Sequence, residues 1–347
     1  MIRKSIAVAL LLGATNAPTF ADEIGTPQST KAANSYAQMD KPFAIRPNHT
    51  YSIVARDAKT GELGVAVQTH WFSVGTSVAW ARPGVGAVAT QSFTERSYGP
   101  LGLEMMAVGK TADQAMKALL AADDHTDVRQ VGMVDAKGNT AVHTGEHAII
   151  EHCHHEGEGF TVQANLMLKA AVCDAMIKAY TTSSDDLAGR MMAALEAAQG
   201  EGGDIRGKQS AALVVVSGDS SKERWNGTHF DLRVDDNPDP ITELRRLLTV
   251  ARGYKMMQAG DDYWTEGKVK EALESYIKAE EMMPNSHEAV FWHAATLAAG
   301  GYVDESLPLF AKAFKMWPDW KTLVPRLPAS GLLPDDPTIL NKILNAK

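Results

Sequence analysis

Histidine is concentrated in one short stretch of the chain. Five histidines and one cysteine lie within thirteen residues: His143, His147, His152, Cys153, His154 and His155. Imidazole and thiolate groups are ligands that zinc and copper accept. The spacing matches no standard metal motif, however, and an exposed histidine-rich loop is the simpler interpretation. We therefore predict no metal and no other cofactor.

A glycine-rich loop at 202–210 immediately precedes a short apolar run at 211–216. The loop lacks the lysine followed by serine or threonine that ends a phosphate-binding loop, which argues against nucleotide binding. It brings Asp204, Arg206 and Gln209 to the edge of a predicted strand. A binding role and a plain solvated turn are both open for these side chains.

The composition excludes several classes of protein. The chain has 347 residues, of which 45% are hydrophobic and 22% charged, so it is a packed globular protein rather than a disordered one. Its net charge of −8 argues against binding to nucleic acid through charge. Neither a Gly-x-Ser-x-Gly elbow nor a His-Glu-x-x-His zinc motif occurs. The length favours two or more folded units.

Residues 1–21 have the pattern of a secretory signal peptide. A basic start is followed by an apolar run at 5–14 and by small residues up to Ala21. The run is too short to cross a bilayer, so we expect no membrane anchor after cleavage, a retained anchor being the alternative. We expect the protein to be periplasmic or secreted.

Export would place both cysteines in an oxidising compartment. Cys153 and Cys173 could then form a disulfide, although the sequence does not give its geometry. The polar segment at 22–48 has no apolar period and is interpreted as a linker or a propeptide.

The elements that must position these groups are strands and helices in separate clusters. The predicted strands are 51–56, 63–68, 77–80, 86–91, 129–135, 140–143, 160–166, 211–216 and 230–235. The predicted helices are 100–107, 111–122, 169–180, 184–199 and 240–251. Such clustering favours antiparallel sheets with helices outside them, and a four-layer helix–sheet–sheet–helix sandwich fits the order.

The last third of the chain contains an internal repeat. Five positions recur 34 residues later: Gly267, Ala272, Tyr276, Ala279 and Pro284 become Gly301, Ser306, Phe310, Ala313 and Pro318. Small residues let paired helices approach, the aromatic residue fills the space between them, and proline ends the second helix. The period predicts an all-α, tetratricopeptide-like domain at 253–347, which could dock a protein partner.

Several segments of the sequence point to a particular protein family. They are Thr50-Tyr-Ser-Ile-Val-Ala-Arg-Asp57, Trp80-Ala-Arg-Pro-Gly-Val-Gly-Ala-Val-Ala-Thr-Gln91 and the segments 60–67, 98–102, 129–132, 143–145, 203–212 and 231–236. In order and spacing these phrases closely resemble the domain-of-unknown-function family 1028, which is classed as Ntn-hydrolase-like. The resemblance covers 49–252 and implies an α+β, four-layer αββα sandwich there.

The resemblance implies amide hydrolysis by an N-terminal nucleophile. A free α-amine, with a pKa of about 8, can accept the proton of its own residue's hydroxyl group, so that one residue is both nucleophile and base. Thr50 is the candidate because it opens the first strand after a removable-looking leader, provided that the His49–Thr50 bond is cut. Ser52 is the alternative, since it shares a strand face with Thr50. A third interpretation is that neither residue is a nucleophile.

Other polar residues are candidates to support Thr50. Those expected to orient the amine or stabilise an oxyanion are Asp57, Thr90 and Asn165. Those expected to bind substrate are Arg56, Gln91, His143, Asp204, Arg206 and Gln209. The chain departs from the resemblance at Ala164, where relatives commonly have glycine, and at Ala148, where many have cysteine; the second departure weakens any cysteine-based mechanism.

Three functions remain open from the sequence. The first is an exported amidohydrolase that cleaves a small amide or peptide-like substrate. The second is a non-catalytic periplasmic binding protein on the same fold, which docks a partner through its helical repeats. The third is a metal-dependent hydrolase that uses the histidine stretch. A homo-oligomer is compatible with all three, and no feature of the sequence selects a symmetry.

Overall fold

The computed structural model describes residues 50–347, and ten strands lie in the first part of this range. They are β1 (Thr50–Arg56), β2 (Leu63–Thr69), β3 (Ala79–Arg82), β4 (Gly86–Ser92), β5 (Arg129–Asp135), β6 (Thr140–Thr144), β7 (Cys153–Gly157), β8 (Phe160–Ala164), β9 (Ser210–Val216) and β10 (Thr228–Val234). A six-stranded sheet has the order β10-β9-β2-β1-β8-β7, and a four-stranded sheet has the order β3-β4-β5-β6. All neighbouring strands are antiparallel.

The two sheets face each other and carry helices on their outer faces. The helices of this part are α1 (Tyr98–Ala107), α2 (Ala112–Ala122), α3 (Val172–Thr182), α4 (Leu187–Gly200) and the single turn α5 (Arg224–Gly227). Because side chains alternate along a strand, Val54 of β1 joins an apolar cluster between the sheets, whereas Ile53 joins the cluster beneath α3 and α4. Met116 of α2 packs similarly against the four-stranded sheet. The predicted α+β, four-layer sandwich is confirmed.

Strand β7 was not among the predicted strands. Its sequence, Cys-His-His-Glu-Gly, lacks the β-branched and aromatic residues that favour strands. Pairing with β8 nevertheless makes β7 the edge of the six-stranded sheet. A disulfide between Cys153 and Cys173 joins this strand to α3, which answers the question that the sequence left open.

The rest of the described chain is helical. Its helices are α6 (Pro240–Thr265), α7 (Val269–Met282), α8 (His287–Ala299), α9 (Val303–Met316), α10 (Trp320–Leu323) and α11 (Pro337–Leu344). Helix α6 continues fourteen residues beyond its predicted end at 251 and crosses the predicted domain boundary at 252. The helix continues through Gly253. A Cβ at this position would come within 2.7 Å of the Met283 side chain, so the glycine permits close packing here.

The 34-residue period corresponds to two successive helix pairs, α6 with α7 and α8 with α9. Gly267 and Gly301 occupy the same position in the turn of each pair, with φ of 74° and 89°. Tyr276 and Phe310 are the equivalent buried aromatic residues of α7 and α9. The tetratricopeptide-like character of these pairs stays a prediction.

Two predicted segments, the signal peptide at 1–21 and the leader at 22–48, lie outside the described residues. Within residues 50–347, no helix combines the length and the apolar character that crossing a membrane requires.

Candidate functional site

Polar groups from both sheets converge at the end of the sandwich where β1 begins, which we call the Thr50 end. Thr50 is the first residue of β1 and pairs with Thr69, the last residue of β2. The backbone carbonyl of Thr50 accepts a hydrogen bond from the backbone N–H of Asn165 at 3.1 Å and another from Nε2 of Gln91 at 3.2 Å. The start of β1 is therefore held by the loop after β8 and by the opposite sheet.

Five side chains at this end form a buried amide network: Ser52, Gln91, Gln130, Gln163 and Asn165. The Ser52 hydroxyl donates to Oε1 of Gln91 at 2.6 Å and accepts from Nε2 of Gln163 at 2.6 Å. Oε1 of Gln130 accepts from Nε2 of Gln91 at 2.7 Å and from Nδ2 of Asn165 at 2.9 Å. All five residues are fully buried, so the network is a strong constraint on how the two sheets meet.

The glycine-rich loop at 202–210 docks at the same end. Asp204 is buried, accepts the backbone N–H of His70 at 2.9 Å and forms a salt bridge with Arg206 at 2.7 Å. Nη2 of Arg206 lies 3.4 Å from Oγ1 of Thr69, and the backbone N–H of Gln209 donates to the Thr69 carbonyl at 3.1 Å. Arg206 and the backbone of Gln209 therefore reach the strand that pairs with the start of β1, whereas Nε2 of the Gln209 side chain donates to Oδ1 of Asp236 at 3.2 Å.

Backbone strain is concentrated at the Thr50 end. Among the described residues, four that are not glycine have a positive φ: Ser73 (54°), Ser92 (68°), Glu151 (59°) and Leu166 (56°). Each lies in a loop or at a strand terminus on this side of the sandwich, after β2, β4 and β8 or before β7. Such conformations are costly for residues with a Cβ and cluster at functional sites. The strain marks this end as the candidate site.

Comparison with known proteins agrees with the fold. The family model of a family of unknown function (DUF1028) matches residues 50–244. The chain belongs to this family. A solved structure, protein SPO2555 from Silicibacter pomeroyi, which is assigned to DUF1028, is similar to this chain with a TM-score of 0.52 and 27% identity, over 58% of this chain and 89% of that one. No curated protein matches the chain. The predicted family resemblance is confirmed.

Two of the predicted residues lie far from Thr50 within the DUF1028 sandwich. Arg56 and Asp57 are at the opposite end of β1, about 20 Å away at the usual rise of a strand. Oδ1 of Asp57 accepts the backbone N–H groups of Lys59 and Thr60 at 2.8 and 2.9 Å, and Oδ2 pairs with Arg190. Burial alone would raise the pKa of Asp57, but these hydrogen bonds and Arg190 lower it. The carboxylate stabilises the β1–β2 turn.

Two others face a helix layer instead of the space between the sheets. Oγ1 of Thr90 donates to the Glu95 carbonyl at 3.0 Å, and Nε2 of His143 lies 2.8 Å from the Thr126 carbonyl. Both residues pair with Val131, whose side chain belongs to the core beneath α1 and α2. The structure therefore brings Thr50, Ser52, Gln91, Asn165 and the 202–210 loop together, and it separates Thr90 and His143 from them.

The histidine stretch is dispersed into separate contacts. Nδ1 of His147 lies 2.8 Å from Oδ2 of Asp127, and Nδ1 of His154 lies 2.8 Å from Oγ1 of Thr144. Burial, together with nearby histidines, lowers the pKa of His154. Cys153 is in the disulfide. Within residues 50–347, no group of three or more histidine, cysteine or acidic side chains is arranged to hold a metal ion.

Two members of the amide network, Gln130 and Gln163, were not predicted as site residues. Both stand in fully buried strands, at positions whose side chains point between the sheets. Glutamine in such a strand must find partners once it is buried, so its occurrence there was the available signal.

Proposed function

We propose that the protein is an exported amidohydrolase that cleaves a small amide or peptide-like substrate with Thr50 as an N-terminal nucleophile. One observation carries the proposal. Thr50 opens β1 on the face between the two sheets, at the end where donors from both sheets and four strained backbone positions converge. A nucleophile of this type must begin a strand next to groups that can stabilise an oxyanion.

In the proposed reaction, Thr50 supplies both the nucleophile and the base. Scission of the His49–Thr50 bond would release the α-amine of Thr50, which accepts the proton of its own hydroxyl as Oγ1 attacks the substrate carbonyl carbon. The tetrahedral intermediate then expels the substrate amine, which takes that proton, and leaves an ester on Thr50. Water, deprotonated by the same α-amine, hydrolyses the ester and restores the hydroxyl.

Neighbouring groups fit supporting roles. The amide donors of Asn165 and Gln91 already converge on the Thr50 carbonyl, so this end of the sheets provides groups of the type that an oxyanion needs. The Arg206 side chain is 27% exposed although its partner Asp204 is fully buried, and the guanidinium suits a substrate carboxylate. The Ser52 hydroxyl both donates and accepts inside the network, which favours a structural role for it.

The proposal is tested on the exported protein by N-terminal sequencing and intact mass. We expect a mature chain that begins at Thr50 and hydrolyses members of a panel of N-acyl amino acids and dipeptides. Thr50→Ala should abolish turnover, whereas Thr50→Ser, which keeps a hydroxyl, should retain part of it. A chain that begins upstream of Thr50 and still hydrolyses amides would disprove the mechanism.

A second function is supported by a different observation. Thr50 is fully buried, and the amides of the network hydrogen-bond to one another. A binding protein that never exposes this residue, and that docks its partner through the C-terminal helices, would have this arrangement. It predicts a mature chain that begins at Asp22 and turns over no amide in the same panel.

A further inference from the structure

A cavity of about 550 Å³ lies at the opposite edge of the sandwich from β6 and β7. The six-stranded sheet extends past the four-stranded sheet here, because β10 is its outer strand and β3 is the edge of the other sheet. Strands β9 and β10 form the floor of the cavity, and β3 and α1 form its wall. None of the lining residues belongs to the buried amide network, so this is a separate site.

The inner part of the cavity is apolar and firmly held. Val214 and Val216 of β9 form the floor, and the ring of Trp80 stands on the wall. The indole N–H of Trp80 donates to the Ser77 carbonyl at 3.1 Å. A Cβ on Gly99 would come within 2.4 Å of the ring, so the first turn of α1 rests directly on it. Trp80 therefore lines the cavity as a residue held firmly between β3 and α1.

The rim of the cavity is rich in arginine. Arg233 is neutralised by Asp231 through two bonds of 2.7 and 3.1 Å. Arg82 meets Glu104 at 3.3 Å, but these side chains are 47% and 70% exposed, so that pair is weak. Arg224 is exposed and forms no ion pair with another described residue. The lining therefore keeps an excess of positive charge in a protein whose net charge is −8.

The positive charge is placed at one end of the cavity. Arg82 and Arg224 also line a neighbouring cavity of about 310 Å³, together with Lys222 and one acidic residue, Glu223, so positive charge is in excess there too. Guanidinium groups bind carboxylate, sulfonate and phosphate oxygens in pairs of parallel hydrogen bonds. Two arginines at the mouth of an apolar cleft of this volume are the arrangement of a small-molecule site.

We infer that this cleft binds a small organic anion with a flat apolar body. The acidic group lies between Arg82 and Arg224, and the body lies against Trp80 and the valines of β9. Charge at the mouth selects the anion, and the apolar floor adds affinity by burying the body away from water. The site is independent of Thr50 and of amide hydrolysis.

The test uses two fluorescent probes on the full-length protein. Anilinonaphthalene sulfonate carries a sulfonate on an aromatic body, and phenylnaphthylamine has nearly the same body without the charge. We expect saturable binding of one sulfonate per chain, with a clear preference over the neutral probe. The double variant Arg82→Gln/Arg224→Gln should weaken sulfonate binding by at least about tenfold and remove that preference, because charge-assisted hydrogen bonds are lost.

Three further variants make the result decisive. Trp80→Leu should weaken the binding of both probes, because Trp80 lines the wall of the cavity. Arg246→Gln, an exposed change on α6, and Thr50→Ala should leave binding within about twofold of wild type. Circular dichroism confirms that each variant is folded. Unchanged sulfonate affinity in the double variant, or an equal loss in Arg246→Gln, would overturn the inference, whatever the outcome at Thr50.

Discussion

Asp123 shows how one partly buried carboxylate can join several elements near the Thr50 end. It follows α2 and accepts from Nε and Nη2 of Arg129 at 2.7 and 3.2 Å, and from the Tyr98 hydroxyl at 3.2 Å. The backbone N–H of His125 donates to it at 2.9 Å. Burial alone would raise the pKa of Asp123, but these hydrogen bonds and the charge of Arg129 lower it. The ionised carboxylate therefore stabilises the fold.

Asp123→Asn is expected to lower the free energy of unfolding by about 3 kcal/mol at pH 7, because it leaves Arg129 buried without its counter-ion. The folded-state pKa lies below the reference value of 3.8, so the stabilisation is complete above that value and is lost as the pH falls through the folded pKa. Urea unfolding of wild type and variant, repeated from pH 7 down to pH 3, measures this. The difference between the two proteins should shrink at low pH. A constant difference would mean that the charge of Asp123 contributes nothing.

The sequence identified part of the candidate site at the residue scale. Thr50 and Asn165 were found from family phrases, and the structure brings them together. Arg56 was expected to bind substrate near Thr50, but a strand carries residues six positions apart to opposite ends of a sheet. Gln91 and Thr90 were both expected at the site, although neighbours on a strand point to opposite faces. Knowing which face each side chain took required the sheet pairing.

At the scale of elements, sequence patterns gave helix and strand types better than their limits. The end of α6 was expected at 251, but the helix continues through Gly253 to Thr265, although glycine is a common helix terminator. Tertiary packing overrides that signal, because the glycine lies against Met283. Strand β7 was not predicted because its sequence has a low strand propensity. Its pairing with β8 and the disulfide nevertheless keep it in the sheet.

The turns of the two helix pairs provide a prediction at this scale. Gly267 and Gly301 have a positive φ, and a Cβ on either would meet no atom within 4 Å. The cost of Gly267→Ala or Gly301→Ala is therefore in the backbone alone, about 1–2 kcal/mol each. Equal decreases in the free energy of unfolding, measured with urea, would show that the 34-residue period repeats the turn geometry.

Gly200→Ala is the matched control for those variants. A Cβ on Gly200 also meets no atom within 4 Å, but its φ is not positive, and it ends α4. Alanine favours a helix over glycine, so this variant should be as stable as wild type or slightly more so. If Gly267→Ala behaves like the control, the left-handed turn is not needed there.

At the scale of the whole molecule, α6 links the DUF1028 sandwich to the C-terminal helices. Its first half contributes Ile241, Leu244 and Leu248 to the core beneath α3 and α4. Its second half contributes Met257 to a cluster with residues of α7 and α8. The family match ends at 244, within this helix. A continuous helix that belongs to two cores makes their stabilities depend on each other.

Leu248→Ala tests this dependence. Leu248 is fully buried in the core of the sandwich, so its truncation should cost about 2–5 kcal/mol through lost burial and a cavity. Because α6 is shared, hydrogen exchange should accelerate both in β9 and in α7, although the substitution touches only the first core. Arg246→Ala, two residues earlier on the opposite, exposed face of α6, should change neither. Acceleration in β9 without any in α7 would show that the helix transmits no stability between the two parts, and the predicted division at 252 would then separate two independently folding units.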